Sequence, residues 1–187
     1  MKIFKFGGAS VKDAEGIKNV LHVLNTVGHE DVLLVISAMG KTTNALEVVI
    51  KNYFDKSKEL HASLQEVRKY HNQILLDLFE DEEHDVFFDV NAHFDDLEYF
   101  IRSNKSPNYS FVYDQVVSIG ELVSTTIVSH YFNYSGLKNN WIDVRPLIKT
   151  DNNYRDAQVD WETTQKLISK GVKKKTLNIT QGFLGSD

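Results

Sequence analysis

The sequence predicts an α/β protein, a three-layer α/β/α sandwich with a mostly parallel central sheet and a helical insertion. Three observations support this fold class. Short strand-like segments alternate with segments of helical periodicity, and residues 31–37 form an apolar run typical of a strand buried on both faces. Three of the four strand-like segments end in a turn of glycine or small polar residues. Consecutive strand–helix units favour right-handed crossovers, which cover a parallel sheet with helices.

The first unit opens the chain. Residues 2–6 alternate basic and apolar side chains, as in a short strand, and Gly7 and Gly8 follow where that strand should end. Ser10 is a good N-cap residue, and apolar residues recur at helical spacing after it. The pattern therefore predicts a helix that begins near Val11.

The glycine turn between this strand and this helix is a candidate phosphate site. Backbone N–H groups around a strand end, two glycines and a helix N-terminus form a concavity with partial positive charge, which attracts anions. Lys5, two residues before the glycines, adds a full charge. The alternative interpretation is a tight turn beside a surface lysine, since a glycine pair alone is a weak signal.

A second unit of the same kind follows. The apolar run 31–37 leads into a small and polar turn, residues 38–44, and helical spacing resumes at Leu46. In parallel sheets ligands bind beyond the carboxyl ends of the strands, so both turns are expected at the same edge.

Residues from about 50 to 105 show helical periodicity without a strand signal, and we predict a helical insertion or lid that folds back near 80–83. Asp85, Asp89 and His93 lie four residues apart, which places them on one helix face. Such a row either holds a metal ion or forms a solvated acidic face. We predict the solvated face and no metal site, because nothing in the sequence desolvates the row.

Residues 110–134 read as a long helix with two distinct faces. One face is an apolar stripe, formed by Val116, Ile119, Val123 and Ile127. A second face is polar and is formed by Asp114, Ser118, Glu121 and Thr125. The polar face is either solvated or turned toward a ligand, and Gly120 and Ser124 beside it would allow another backbone or a ligand to approach closely.

Two further strand-like segments, 141–145 and 177–181, enclose a helix expected over 161–171, with Asp160 as its N-cap. The last strand runs into another glycine-bearing turn, and no helix follows it in the sequence. A sheet interrupted at that point would leave an edge uncovered. We therefore expect the chain to be the N-terminal piece of a longer protein.

Composition narrows the function classes. The chain has no cysteine, which excludes disulfides and thiolate chemistry. No apolar run is long enough to suggest a membrane span, and the N-terminus does not resemble a signal peptide. A cytoplasmic protein is therefore expected. The net charge is −5, but residues 77–98 hold ten acidic and no basic residues; the remainder has 21 basic against 16 acidic residues, or +5. That remainder favours anionic ligands, and no basic stripe with aromatics indicates a nucleic acid partner.

Five motifs in order resemble those of the aspartokinases of the amino acid kinase family. They are Lys-Phe-Gly-Gly-Ala-Ser-Val at 5–11, Val-Ile-Ser-Ala-Met-Gly at 35–40 with Thr-Asn at 43–44, Ser-Ile-Gly-Glu-Leu-Val-Ser at 118–124, Asp-Val-Arg at 143–145 and Gln-Gly-Phe-Leu-Gly-Ser at 181–186. Ala9 stands where the family usually has threonine. The resemblance covers residues 2–186 apart from the 50–105 region.

The resemblance implies transfer of the γ-phosphoryl group of ATP to the side-chain carboxylate of L-aspartate. The product is 4-phospho-L-aspartate, the first step of lysine, threonine and methionine biosynthesis, and Mg²⁺ is expected to accompany the nucleotide. A carboxylate is already ionised at neutral pH, so the reaction needs no general base. Catalysis then consists of positioning and charge neutralisation, because two anions must meet.

The family's functional residues map onto named positions of this sequence. The resemblance implies catalytic roles for Lys5, Gly7 and Gly8. It implies phosphate binding by Lys5, Gly7, Gly8 and Ser10. It implies aspartate binding by Ser37, Thr43 and Glu121, with Glu121 pairing with the α-ammonium group. For Arg145 two interpretations stay open, a structural role and a functional one.

The resemblance also implies a domain organisation. Residues 1–187 would be the N-terminal part of an amino acid kinase domain, without the C-terminal nucleotide-binding half, its Gly-Arg-Gly-Gly-Ser-Asp loop and the regulatory ACT domains. We expect the full-length protein to be a homodimer and the isolated chain to be inactive. The alternatives are a kinase of the same superfamily that acts on glutamate, acetylglutamate, carbamate or a nucleotide, and a non-catalytic amino-acid-binding domain.

Overall fold

The computed structural model describes all residues from 1 to 187. Its regular elements are β1 (Lys2–Phe6), α1 (Ala14–Val27), β2 (Val32–Ile36), α2 (Thr42–Phe54), α3 (Leu60–Leu78), α4 (Asp85–Ser103), α5 (Tyr109–Tyr134), β3 (Asn139–Ile142), α6 (Trp161–Gly171) and β4 (Leu177–Gln181), with a 3₁₀ turn at Gly8–Val11. No helix combines the length and hydrophobicity that a membrane span requires.

The four strands form one parallel sheet in the order β1-β2-β4-β3. Phe6 pairs with Ile36, and Ile36 pairs with Gln181, so β1, β2 and β4 end side by side. The predicted α/β fold with a parallel sheet is confirmed. The register places the three turns that follow these strands at one edge of the sheet.

The strand order implies that helices cover both faces of the sheet. The connections from β1 to β2 and from β2 to β3 cross the sheet in one direction, and the connection from β3 to β4 returns in the other. Because parallel crossovers are right-handed, α6 in the returning connection lies on the face opposite α1 and α5. The β1 edge is incompletely covered, and Ile3 is 67% exposed.

The main core lies between the sheet and helices α1 to α5. Its fully buried side chains include Leu34 and Ile36 of β2 and Ile127 of α5. The predicted helical insertion corresponds to the end of α2 with α3 and α4, and the chain reverses between α3 and α4 as expected. Helices α3 and α4 contribute to the same core, for example through Leu75 and Phe94. Their action as a lid stays a prediction.

The N-cap prediction at Ser10 is wrong. Ser10 lies inside the 3₁₀ turn, and α1 begins at Ala14. Asp13 caps α1 instead: its backbone is extended, with φ −154°, and its carboxylate accepts a hydrogen bond of 2.8 Å from the N–H of Gly16. A carboxylate acceptor satisfies a free N–H and complements the helix dipole, so the helix begins one turn later than the serine suggested.

The third strand is displaced relative to the prediction. It spans Asn139–Ile142 instead of 141–145, and the chain leaves the sheet at Asp143. The carboxylate of Asp143 accepts from the backbone N–H of Arg145 at 3.0 Å, which closes a tight turn before Pro146. The strand at 177–181 and the capping of α6 by Asp160, which accepts from the Thr163 N–H at 3.0 Å, are confirmed.

Candidate active site

Three turns meet at the carboxyl edge of the sheet. The N–H of Ser37 donates to the carbonyl of Phe6 at 3.2 Å, and the N–H of Gly182 donates to the carbonyl of Ile36 at 3.3 Å. The turns after β1, β2 and β4 therefore begin in register with each other. This edge is where ligands bind in parallel α/β sheets.

Gly8 allows the first turn to contact the second. A Cβ atom at Gly8 would lie 2.5 Å from the carbonyl oxygen of Ala38 and 2.9 Å from that of Gly40, so no other residue fits there. Gly7 differs, because a Cβ atom there would have nothing within 4 Å, and its N–H donates to no group of the chain. Gly7 thus presents a free backbone donor in open space, as an anion site requires.

Lys5 lies near the carboxyl end of β1, at the sheet edge where the turns meet, and it is exposed. Its ammonium nitrogen lies 5.4 Å from the centre of the Phe183 ring, in a cation–π arrangement. Phe183 follows β4 in a left-handed backbone conformation, with φ 65°, and its side chain is 91% exposed. An exposed aromatic ring and a positive charge therefore flank the glycine turn.

Glu121 is the unusual residue of the site. Its side chain is 6% exposed, and its Oε2 has no hydrogen-bond partner. Burial raises the pKa of Glu121 to about 7, although the backbone N–H of Ala38 and the positive charge of Lys5 both act to lower it. Lys5 acts on this pKa through its charge, since no hydrogen bond or ion pair joins the two side chains.

Helix α5 is fixed against the second turn next to Glu121. A Cβ atom at Gly120 would lie 3.2 Å from the Cβ of Ala38, so the small residue permits close packing there. One turn later, the hydroxyl of Ser124 donates to the carbonyl of Ser37 at 2.8 Å. These contacts on either side of Glu121 hold its carboxylate beside the end of β2.

Ser37 and Thr43 lie on either side of this second turn. Ser37 directly follows β2, and Thr43 is in the first turn of α2. No side chain caps the N-terminus of α2, because Lys41 occupies the N-cap position without such a bond. The N-terminus of α2 has partial positive charge and adjoins the same turn, which favours a carboxylate ligand there.

The predicted phosphate residue Ser10 has a different backbone role from the one expected. Its N–H donates to the carbonyl of Gly7 at 2.9 Å and closes the 3₁₀ turn. Its side chain is exposed beside the glycines. Phosphate binding by Ser10 therefore depends on its hydroxyl group and stays a prediction.

The polar face of α5 divides into two halves. Asp114 accepts from the N–H of Arg155 at 2.9 Å, and the Ser118 hydroxyl donates to the carbonyl of Gln115 within its own helix. Glu121 and Thr125 are buried. The Thr125 hydroxyl is bonded within the protein, so the interpretation of this face as turned toward a ligand applies to Glu121 alone and stays a prediction.

Other polar residues singled out in the sequence have local partners. Asp89 pairs with His130 at 3.0 Å, and His93 contacts the Thr126 hydroxyl at 3.2 Å. Asp85 is exposed in the first turn of α4. Arg145 forms an ion pair with Asp143, with 2.6 Å between Nη2 and Oδ2, which supports the structural interpretation of this arginine.

Gln181 and Phe183 both stand in the motif at 181–186, but their contacts have no signal in the local sequence. Gln181 donates from Nε2 to the Thr125 hydroxyl at 2.7 Å and accepts from the N–H of Val144 at 2.9 Å, which ties β4 to α5 and to the turn after β3. Phe183 stands in a recognised motif, but an exposed aromatic residue could be recognised as part of the site only from its distance to Lys5.

Comparison with protein families gives a match over the whole chain. The profile described as "Amino acid kinase family" matches residues 1–187. The bifunctional aspartokinase/homoserine dehydrogenase 2 of Escherichia coli K12 is 29% identical over 186 residues, which are 98% of this chain and 22% of that protein. The aspartokinase of Chlamydia trachomatis is 25% identical over 185 residues, covering 98% of this chain and 40% of that protein.

Solved structures match the fold. E. coli aspartokinase III in complex with lysine and aspartate superposes with a TM-score of 0.85 at 23% identity, over 100% of this chain and 42% of that one. The same enzyme in complex with aspartate and ADP gives a TM-score of 0.84 at 22% identity, again over 100% of this chain and 42% of that one. The chain thus spans less than half the length of these relatives.

Proposed function

The chain belongs to the amino acid kinase family, and from this membership we propose that it forms the amino-terminal part of an aspartate kinase. The enzyme would transfer the γ-phosphoryl group of ATP to the side-chain carboxylate of L-aspartate and so produce 4-phospho-L-aspartate. The names of the related proteins support this substrate, as do the aspartate and ADP named with the solved structures.

The observation that supports the proposal most strongly is the buried carboxylate of Glu121, whose Oε2 has no hydrogen-bond partner. Buried polar atoms in proteins are hydrogen-bonded with few exceptions, so an unpaired carboxylate oxygen in a cleft suggests a missing cationic ligand. The α-ammonium group of an amino acid meets this requirement. A plain dicarboxylate or an acetylated amino acid lacks such a group.

The other end of the substrate would lie toward the positive charge of the site. The hydroxyls of Ser37 and Thr43 and the uncapped N-terminus of α2 are suited to hold a carboxylate. With the substrate held in this way, an oxygen of its side-chain carboxylate attacks the γ-phosphorus as the bond to ADP breaks. The attacking group is already an anion, so no residue needs to remove a proton.

Lys5, Gly7 and Gly8 are proposed to stabilise the transferred group. The Lys5 ammonium would bridge the phosphates, and the free N–H of Gly7 would donate to a phosphoryl oxygen. The exposed Ser10 hydroxyl would add a further donor. Because these groups are held by the strand and the turn, they need little rearrangement as charge develops in the transition state.

The wider expectations follow from the resemblance to aspartokinases. ATP would enter with Mg²⁺, which neutralises phosphate charge when bound. We propose that residues 1–187 are the N-terminal part of the kinase domain, that the intact protein is a cytoplasmic homodimer, and that the isolated chain does not turn over ATP. Experiments on the intact protein use the full-length product that contains these residues.

Trapping of the acyl phosphate tests the proposal. The intact protein is incubated with ATP, Mg²⁺ and hydroxylamine and with L-aspartate, L-glutamate, N-acetyl-L-glutamate or succinate, and the hydroxamate is measured. We expect hydroxamate with L-aspartate and none with succinate, which lacks the ammonium group. Product from L-glutamate or N-acetyl-L-glutamate without product from L-aspartate would contradict the proposal and favour another kinase of the superfamily.

A further inference from the structure

Helix α3, which belongs to the helical insertion, contacts the candidate site through two adjacent residues, Tyr70 and His71. Neither belongs to a motif of the resemblance. Tyr70 contacts the turn after β1 and the turn after β2, and His71 contacts the first residue of α2. The two residues therefore connect helix α3 to both turns of the site.

His71 holds the N-terminus of α2 through its ring. It is fully buried, and its Nδ1 lies 2.8 Å from the carbonyl oxygen of Val67. A carbonyl can only accept, so Nδ1 carries the proton and Nε2 is the acceptor in the neutral ring. Nε2 lies 3.2 Å from the Thr42 hydroxyl, which therefore donates to it. Thr42 is the residue before Thr43.

Burial keeps His71 in this state. It lowers the pKa of His71 to about 4, although the hydrogen bond to Val67 acts to raise it. The ring is therefore neutral at physiological pH, and the direction of its two hydrogen bonds is fixed.

Tyr70 holds the glycine turn. Its hydroxyl donates to the carbonyl of Lys12, just after the 3₁₀ turn. The same oxygen would lie 2.7 Å from a Cβ atom at Gly40, a residue with φ 53°. Gly40 in turn donates its N–H to the carbonyl of Gly8 at 2.9 Å. One hydroxyl group thus packs against both turns where they meet.

We propose that Tyr70 and His71 are positioning residues, which fix the distance between the glycine turn and the N-terminus of α2. The inference rests on the proposed function, in which the glycine turn holds phosphate and the start of α2 holds the substrate carboxylate. Phosphoryl transfer depends on this distance, because the two reacting anions must be aligned. Helix α3 would therefore contribute to the reaction without contacting a reactant.

Steady-state kinetics of variants of the intact protein separate the role of Tyr70 from the role of His71. Tyr70→Phe should lower kcat about fivefold with little change in the KM for L-aspartate, as expected for the loss of one hydrogen bond at the glycine turn. Tyr99→Phe is the matched control, because Tyr99 is 63% exposed and its hydroxyl makes no hydrogen bond within the chain.

His71→Leu should raise the KM for L-aspartate about fivefold, because Thr42 loses its acceptor. His71→Gln, which retains an amide group in place of the ring, should restore much of the loss. His61→Gln, at an exposed position of the same helix, is the control. A purely structural role would lower the melting temperature without this separation of kcat from KM, and it would show no recovery in the glutamine variant.

Hydrogen–deuterium exchange provides a test that does not depend on the substrate. We expect faster exchange over residues 37–44 in Tyr70→Phe and His71→Leu than in the wild type. If the wild-type protein forms no aspartyl hydroxamate, the proposed function fails, and exchange alone decides whether α3 fixes these turns. Wild-type kinetics in both variants of an active enzyme, or unchanged exchange over 37–44, would overturn the inference.

Discussion

The backbone N–H of Gly40 donates a hydrogen bond of 2.9 Å to the carbonyl oxygen of Gly8 and so joins the first two turns of the site. These residues are 32 positions apart in the sequence. The bond forms because β1 and β2 end in register and because Gly8 has no side chain to separate the turns. It fixes the proposed phosphate and aspartate sites relative to each other.

Gly8→Ala should destabilise the fold, whereas Gly7→Ala should not. The added Cβ at position 8 meets backbone oxygens of Ala38 and Gly40, and crowding of this kind costs about 1–3 kcal/mol. At position 7 there is open space and φ is −79°, so alanine fits. Urea unfolding of both variants checks this difference, and equal unfolding free energies would contradict it. In the kinase assay both variants should lose activity. Gly8→Ala should lose it because its Cβ separates the two turns, and Gly7→Ala because its methyl group occupies the proposed phosphate space.

Lys5→Ala in the intact protein should lower kcat/KM by about 10² to 10³, or about 3 kcal/mol, if Lys5 stabilises the transferred phosphoryl group. Lys2→Ala serves as the control, since Lys2 is exposed at the opposite end of the same strand. The measurement is steady-state kinetics with ATP and L-aspartate. Wild-type rates in Lys5→Ala would show that the role assigned to this lysine is wrong.

Glu121→Gln should stabilise the fold at alkaline pH. The pKa of Glu121 is raised from 4.5 to about 7, so its ionisation costs stability as the pH rises from 4.5 through 7. The expected gain on substitution is up to about 3 kcal/mol above pH 7, with no gain below pH 4. Urea unfolding of the variant and the wild type above about pH 7 and below about pH 4 measures this difference in unfolding free energy. A variant less stable than the wild type at about pH 8 would contradict the burial argument.

His71 should give the opposite pH dependence. Its pKa is lowered from 6.5 to about 4, so the unfolded chain takes up the proton first and stability is lost as the pH falls from 6.5 to 4. The expected loss is about 3 kcal/mol, to which His93 and His130 add in the same direction because burial also lowers their pKa. Urea unfolding of His71→Leu should show a shallower dependence over this range. The same slope as in the wild type would contradict the assignment.

The sequence predicts three of the four strands and the parallel sheet, because the apolar run of β2 and the glycine turns are local features, whereas the third strand is displaced from its predicted position. The sequence predicts the start of α1 one turn early, because Ser10 and Asp13 are both good caps and only the tertiary position of the 3₁₀ turn selects the aspartate. The polar face of α5 was visible as a spacing pattern. Its burial at Glu121 depends on packing against α2 and β2, which no local pattern encodes.

Helix α3 illustrates what the sequence did not allow. Tyr70 and His71 read as ordinary members of an amphipathic helix, and their contacts with Gly40 and Thr42 join segments about 30 residues apart. Phe183 likewise acquires its position beside Lys5 only through the pairing of β4 with β2. These relationships arise from chain topology, which no local sequence pattern encodes.

Proton release on binding of L-aspartate tests the central claim most directly. At about pH 6 the Glu121 carboxyl is mostly protonated, because its pKa is about 7, and pairing with the substrate's ammonium group must displace that proton. Calorimetric titration of the intact protein in two buffers of different ionisation enthalpy counts the protons released. We expect close to one proton per bound aspartate at about pH 6, nearly none at about pH 8.5, and strongly weakened binding in Glu121→Gln. Tight binding with no proton release at the lower pH, or unchanged binding in Glu121→Gln, would contradict the account.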